Sequence, residues 1–318
     1  VVLTTSGSAA LYLALKAAGI GEGHEVIVPN RTFIATAHAV LLTGGKVRLV
    51  DVEINKETLD VSRIEEVINP KTKTIIPVHL NGVSVDMDGI QEIVMKYNLI
   101  VIEDACQAFC SANRKGLLGT QGNLGCFSLG VTKLISTGQG GFIVTKNIDL
   151  YENLLRIKNH GVFNTFDANK YEMPGFNFKY NDVLASIGLV QLDKISKKKE
   201  AHSRIYRMYK DGLKNLNFLK LLISNEDEGG LPLWVEVLCS DRKKVAAFLA
   251  KQNIEVRFFP PNLNDTSYFR SQSKKYPNSD VFARYGLFLP SGSDQKLKNI
   301  ERTIYVLNKL KSMGSLKI

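Results

Sequence analysis

The chain has 318 residues, 44% of them hydrophobic and 23% charged, which is enough to bury a full core and carries none of the bias of disorder, collagen or coiled coil. Its net charge of +10 favours anionic ligands, but the basic residues are scattered, and the run Lys197-Lys198-Lys199 beside Asp193 and Glu200 reads as a solvated helix face rather than a nucleic-acid stripe. No apolar run approaches the roughly 20 residues of a bilayer span, so no membrane is expected.

The opening Val1-Val2-Leu3-Thr4 has no initiator Met and no signal region, so the chain is expected to begin part-way into its gene product. From there to about residue 150, strand-like apolar runs alternate with amphipathic helical stretches, the pattern of βαβ units around a mainly parallel sheet. The expected elements are helix 8–18, strand 25–28 stopped by Pro29, helix 33–42 ended by Gly44-Gly45, strand 46–50, strand 74–78 and helix 88–96. A buried strand at 100–103 then delivers Asp104, and two short strands, 126–129 and 141–145, flank a glycine-rich turn. A helix over 149–159 is followed by a long amphipathic one over 182–199, with Val183, Ile187, Val190 and Leu192 on its apolar side. Past a linker near 200–215 the texture changes to strands at 219–224, 232–238 and 255–259 with helices at 242–252 and 295–311, a small α+β lobe. Four cysteines, Cys106, Cys110, Cys126 and Cys239, form neither a disulfide framework nor a paired zinc motif, so a reducing cytoplasm and no metal are expected.

Three places could carry chemistry. Ser6-Gly7-Ser8 precedes a helix whose free N–H groups would suit an anion, although a serine N-cap alone explains it as well. Asp104 ends a buried strand, where it either caps a helix or holds a protonated heterocycle nitrogen. Lys133 stands between two apolar strands, ahead of Gly138, Gly140 and Gly141, where a desolvated amine could form a Schiff base or, alternatively, an ordinary ion pair.

The segments Ser6 to Leu11, Val28-Pro29-Asn30-Arg31-Thr32-Phe33-Ile34-Ala35-Thr36, Ile76-Pro77-Val78-His79-Leu80-Asn81-Gly82 and Glu103-Asp104-Ala105-Cys106-Gln107-Ala108 are four of six that share an order and spacing. Cys126-Phe127-Ser128 with Thr132-Lys133, and Gly175-Phe176-Asn177-Phe178, are the others. Together they resemble the DegT/DnrJ/EryC1/StrS sugar aminotransferases over nearly the whole chain. The resemblance implies an α/β fold of fold-type I pyridoxal 5′-phosphate (PLP/PMP) transferases. Its large domain, residues 1–200, would hold a mainly parallel sheet flanked by helices, and residues 201–318 a small C-terminal α+β lobe.

It further implies that Lys133 is the Schiff-base lysine and general acid/base, and that Asp104 pairs with the pyridinium nitrogen. Phe33 would stack on the ring, Gln107 would contact its hydroxyl, and Gly7, Ser8 and Ser128 would cradle the phosphate. Asn177 would reach the phosphate of a neighbouring subunit, so the active sites of a homodimer would be shared. The implied reaction moves an amino group from glutamate to a nucleotide-linked keto sugar. Several members carry Arg where this chain has Lys179 and Glu where it has Gln139, and the segment that usually precedes the phosphate loop is largely missing. His79 and His160 read equally as structural or catalytic, and Arg257 with Pro260-Pro261 resembles a region that closes over substrate.

Two rivals remain. A sugar dehydratase of the same family would carry histidine in place of Lys133, and a non-catalytic PLP-fold regulatory protein would have lost the cofactor ligands kept here.

Overall fold

The computed structural model describes residues 1–164, 171–269 and 275–312. Its larger sheet uses β1 (Val2–Thr4), β2 (Glu25–Pro29), β3 (Lys46–Val50), β4 (Thr72–Ile75) and β5 (Ile100–Asp104). After a small hairpin, β6 (Ala112–Asn113) and β7 (Gly116–Leu117), come β8 (Leu124–Ser128) and β9 (Gly141–Val144). The order across this sheet is β1-β9-β8-β5-β4-β2-β3. β3, β2, β4, β5 and β8 run parallel, whereas β9 is antiparallel to both its neighbours. Every residue of β2 is buried, as a parallel strand covered on both faces requires.

Helices α1 (Gly7–Ala17), α2 (Ala35–Leu42), α3 (Met87–Tyr97) and α4 (Ile148–Lys158) flank this sheet. α1 starts where the Ser6 hydroxyl accepts the Ala9 N–H, and it buries Leu11, Leu13 and Leu15 in the main core with Val28, Ile102 and Ile143. α3 is capped by Asp86 and ends at Asn98 in the left-handed conformation. The expected α/β architecture with a mainly parallel sheet is the one observed.

The second sheet is antiparallel, ordered β10-β11-β13-β12 from β10 (Leu219–Leu221), β11 (Val235–Cys239), β12 (Arg257–Phe258) and β13 (Gly286–Leu289). Its own core joins Val235, Val237, Leu287 and Leu289 to Ile205, Tyr209, Leu249, Ile300 and Leu307. These last come from α6 (Ile195–Leu213), α7 (Arg242–Ala250) and α9 (Leu297–Ser312). Before α6 lies α5 (Asp182–Leu192), and α8 (Pro277–Tyr285) leads into β13.

Two expectations are corrected here. The long helix over 182–199 is two helices, broken at Asp193 and Lys194, and the expected linker near 200–215 is helical through Leu213. The reason is packing: α6 buries Ile205, Tyr206 and Tyr209 against the second sheet, whereas α5 buries none of its side chains. Val183, Ile187, Val190 and Leu192 are accordingly exposed. β1, the β6–β7 hairpin, α8 and β13 lie outside the elements expected from sequence. Among the described residues no helix is long and apolar enough to cross a membrane.

Candidate active site

β2, β5 and β8 are parallel, and β1 shares their direction, so all four C-terminal ends open on one edge of the sheet. That edge receives Ser6-Gly7-Ser8, Arg31-Thr32-Phe33, Asp104 and Ser128. Gly7 lies so close to β8 that a Cβ there would stand 2.7 Å from the Ser128 Cβ and 2.9 Å from the Cys106 Sγ. Only glycine lets the helix start reach this strand. The Gly7 and Ser8 N–H groups have no acceptor among the described residues, and the Ser128 Oγ accepts the Gly130 N–H at 3.3 Å. The result is a glycine-floored cradle at the positive end of α1, fit for an anion.

Asp104 is buried. Its Oδ2 accepts the Thr36 hydroxyl at 2.8 Å and its Oδ1 the Cys106 N–H at 3.1 Å. Thr36 is a positioning residue that sequence reasoning did not assign; the Thr32 and Thr36 hydroxyls lie 3.0 Å apart, so Thr32 can supply the proton as Thr36 donates onward. The neighbouring Glu103 faces the other way. Its carboxylate accepts from the Gly119, Gln121 and Gly122 N–H groups at 2.6–2.8 Å and from His79 Nε2 at 2.8 Å. Burial pushes the Glu103 carboxyl up, yet His79 and these N–H groups hold it below the usual range. Because His79 Nδ1 accepts the Val85 N–H at 3.3 Å, the proton sits on Nε2, and His79 is a structural partner of Glu103.

Lys133 lies on the loop between β8 and β9. Its ammonium has no hydrogen-bond or ion-pair partner among the described residues and faces the Trp234 ring at 5.4 Å. Burial lowers its pKa, with the nearby Cys106 thiol and Asp104 carboxylate opposing that shift. Gln107 Oε1 accepts the Asn81 N–H at 3.0 Å. Phe33 leaves 60% of its surface uncovered, a large exposed ring one hydrogen-bonded residue from Asp104, since its carbonyl also accepts from Thr36.

Asn177 is not brought to this cluster: it is exposed, bridges Asn159 and accepts the Lys179 N–H at 3.4 Å, and no hydrogen bond ties it to the cradle among the described residues. His160 has a φ of 58° and donates its N–H to the Phe176 carbonyl. Arg257 is exposed beside Glu255. Besides Thr36, the residues sequence reasoning missed are Trp234 and the side chain of Asn81.

An anion cradle, a buried carboxylate and a desolvated amine on one edge of such a sheet define an enzyme of the pyridoxal-phosphate-dependent sugar aminotransferase class. Residues 1–308 match the family model of the DegT/DnrJ/EryC1/StrS aminotransferases, and the chain belongs to that family. It is 38% identical over 218 residues to GDP-perosamine synthase of Caulobacter vibrioides, covering 68% of this chain and 58% of that one. It is 34% identical to GDP-perosamine synthase of Escherichia coli O157:H7, covering 98% of this chain and 85% of that one. The crystal structure of S. venezuelae DesV superimposes with a TM-score of 0.91 at 29% identity, over 97% of this chain and 84% of the other.

Proposed function

We propose that the protein moves an amino group from glutamate to the carbonyl carbon of a keto sugar carried on a nucleoside diphosphate, with PLP as its resident cofactor. The observation that carries this reading is Lys133: a half-buried amine with no acceptor among the described residues, under the influence of the Asp104 carboxylate and facing the Trp234 ring. The cradle that a Cβ at Gly7 would fill, with two N–H groups lacking acceptors among the described residues, fits the cofactor's phosphate.

When bound, PLP supplies an electron sink for the carbanion charge that develops as a Cα proton leaves. Lys133 would hold the cofactor covalently, then take that proton and return it as the acid. Asp104, fixed by Thr36 and the Cys106 N–H, would keep the ring nitrogen protonated. Gly7, Ser8 and Ser128 would hold the phosphate, Gln107 would meet the ring hydroxyl, and Phe33 would cover one ring face. The reading divides the chain into a cofactor-binding unit, residues 1–200, and a smaller unit, residues 201–318. Four free cysteines support work in a reducing cytoplasm.

The exposed apolar residues of α5, Val183 at 72% and Leu189 at 67%, with Phe176 beside Asn177, support a homodimer in which Asn177 completes the neighbour's phosphate site.

The test is borohydride reduction of the PLP-loaded protein followed by peptide mass spectrometry, with amino transfer from glutamate assayed on UDP-, dTDP- and GDP-linked keto sugars. A pyridoxyl group on Lys133 and an amino-sugar product are expected, and the two GDP-perosamine synthases make GDP-linked sugars the first to try. A label on another lysine, or a dehydrated sugar in place of an amino sugar, overturns the reading. For the dimer, mixing inactive Lys133→Ala with inactive Asn177→Asp should restore about a quarter of wild-type activity, since half the exchanged dimers keep one whole site. Proven subunit exchange without recovery places Asn177 outside the partner's site.

A further inference from the structure

Asn81 sits in the turn between β4 and α3 with φ 49°, a left-handed conformation that asparagine tolerates. The next residue, Gly82, is pressed so closely on the 231–234 segment that a Cβ would stand 2.2 Å from the Leu231 carbonyl oxygen. At this contact the Asn81 side chain uses all its main bonding capacity. Its Oδ1 accepts the Leu233 and Trp234 N–H groups, both at 2.9 Å. Its Nδ2 donates to the Trp234 carbonyl at 3.0 Å and to Glu236 Oε2 at 2.7 Å. Asn81 therefore grips the backbone of Trp234 from both sides across 153 residues of sequence, while its own N–H holds Gln107. The indole so fixed lies over the Lys133 ammonium and packs edge-on against Phe288 at 6.0 Å.

We propose that Asn81 is a positioning residue for the reaction, setting the Trp234 indole across Lys133, so that the segment entering the second sheet supplies one wall of the active site. The inference rests on Lys133 as the reacting amine, which borohydride labelling tests separately. An asparagine amide is suited to the task because it presents an acceptor and a two-proton donor in one plane on a short side chain, matching a peptide N–H and C=O in register. The indole face attracts the ammonium and keeps water from it, so displacing the ring alters the amine's surroundings without touching it.

The chain holds a single tryptophan, so emission excited on the red side of the tyrosine absorption band reads Trp234 alone. In the wild-type protein, loading with PLP should quench most of that emission; an unquenched signal overturns the proposal without any variant. Without cofactor, Asn81→Ala should shift the emission to the red and expose it to acrylamide. With cofactor, kcat should fall by up to about 10²-fold at nearly unchanged KM for glutamate, the scale of a misplaced catalytic contact. Because Asn81 acts through Trp234, adding Asn81→Ala to Trp234→Phe should cost little beyond the worse single variant. Additive losses, or lost activity with wild-type emission, overturn it. Wild-type borohydride labelling at Lys133 alongside either result shows that the failure lies with Asn81 and not with the reading of Lys133.

Discussion

Two carboxylates stand side by side at the end of β5, and the pleat turns them to opposite faces of the sheet. Glu103 is met by three N–H groups and a histidine, which uses the full acceptor capacity of its oxygens. Among the described residues Asp104 is met by one hydroxyl, one N–H and the weakly donating Cys106 thiol, and a lone pair remains for something else. A buried carboxylate saturated by its own chain can only hold that chain in place. One left partly unsatisfied near a desolvated amine is available to a ligand, so charge and burial alone do not separate a structural acid from a functional one; the count of partners does.

The sharpest test of the functional face is Lys133→Ala. Amino transfer should fall by at least about 10⁴-fold, the upper range for loss of an acid–base group, while the melting temperature stays near wild type because the Lys133 side chain makes no hydrogen bond among the described residues. Next in size, Asp104→Asn keeps an oxygen for the Cys106 N–H and turns the Thr36 contact round, the amide NH2 donating to the hydroxyl, but removes the charge, and should cost about 10²- to 10³-fold in kcat with little change in stability. Comparable stability losses in Asp104→Asn and Glu103→Gln would erase the contrast between the two faces.

Glu103→Gln should behave the opposite way. An amide would set its NH2 against the N–H groups of Gly119, Gln121 or Gly122, at a cost of about 2–3 kcal/mol in unfolding free energy, with kcat per folded molecule close to wild type. The folded Glu103 carboxyl lies below its ordinary value of 4.5, so its stabilisation is fully present above that pH and is lost as pH falls through the lower folded value. Thermal melts should therefore show the gap between wild type and variant narrowing below about pH 4.5. A constant gap would mean that the charge on Glu103 is not what stabilises.

Much of this geometry was legible in the sequence, and what was not has a common cause. Most strands of the large sheet announce themselves as short apolar runs; Asp104 ends one of them, and Lys133 stands in the glycine-rich loop that follows another. β1 does not, because three residues gain their meaning only by pairing Val2 with Ile143. The break at Asp193 and Lys194 carries no Gly or Pro; it exists because α6 must turn to meet the second sheet. Thr36 was visible within a motif, but its bond to Asp104 spans 68 residues, and the grip of Asn81 on Trp234 spans 153. Local pattern finds what a residue is next to in sequence, and these contacts are set by topology.

One buried acid contrasts with Glu103 in the sign of its pH dependence. Glu236 on β11 is buried, and burial together with the nearby Glu57 pushes its carboxyl well above the usual range. Arg31, paired with Glu57 at 2.6 Å, and Asn81 oppose that shift without cancelling it. A raised folded pKa means the native state holds its proton more tightly than the unfolded chain does. The stability this gives is complete below 4.5 and is lost as pH rises through the folded value. Glu236→Gln mimics the protonated acid: its oxygen can still accept from Asn81 Nδ2, and its NH2 can face Glu57. The variant should match wild type near pH 4.5 and be more stable at neutral pH, by about 1.4 kcal/mol for each pH unit between 4.5 and the folded pKa. Chemical denaturation at several pH values reads this directly. A variant less stable than wild type at pH 7 would show that Glu236 is charged in the fold and that Arg31 outweighs its burial.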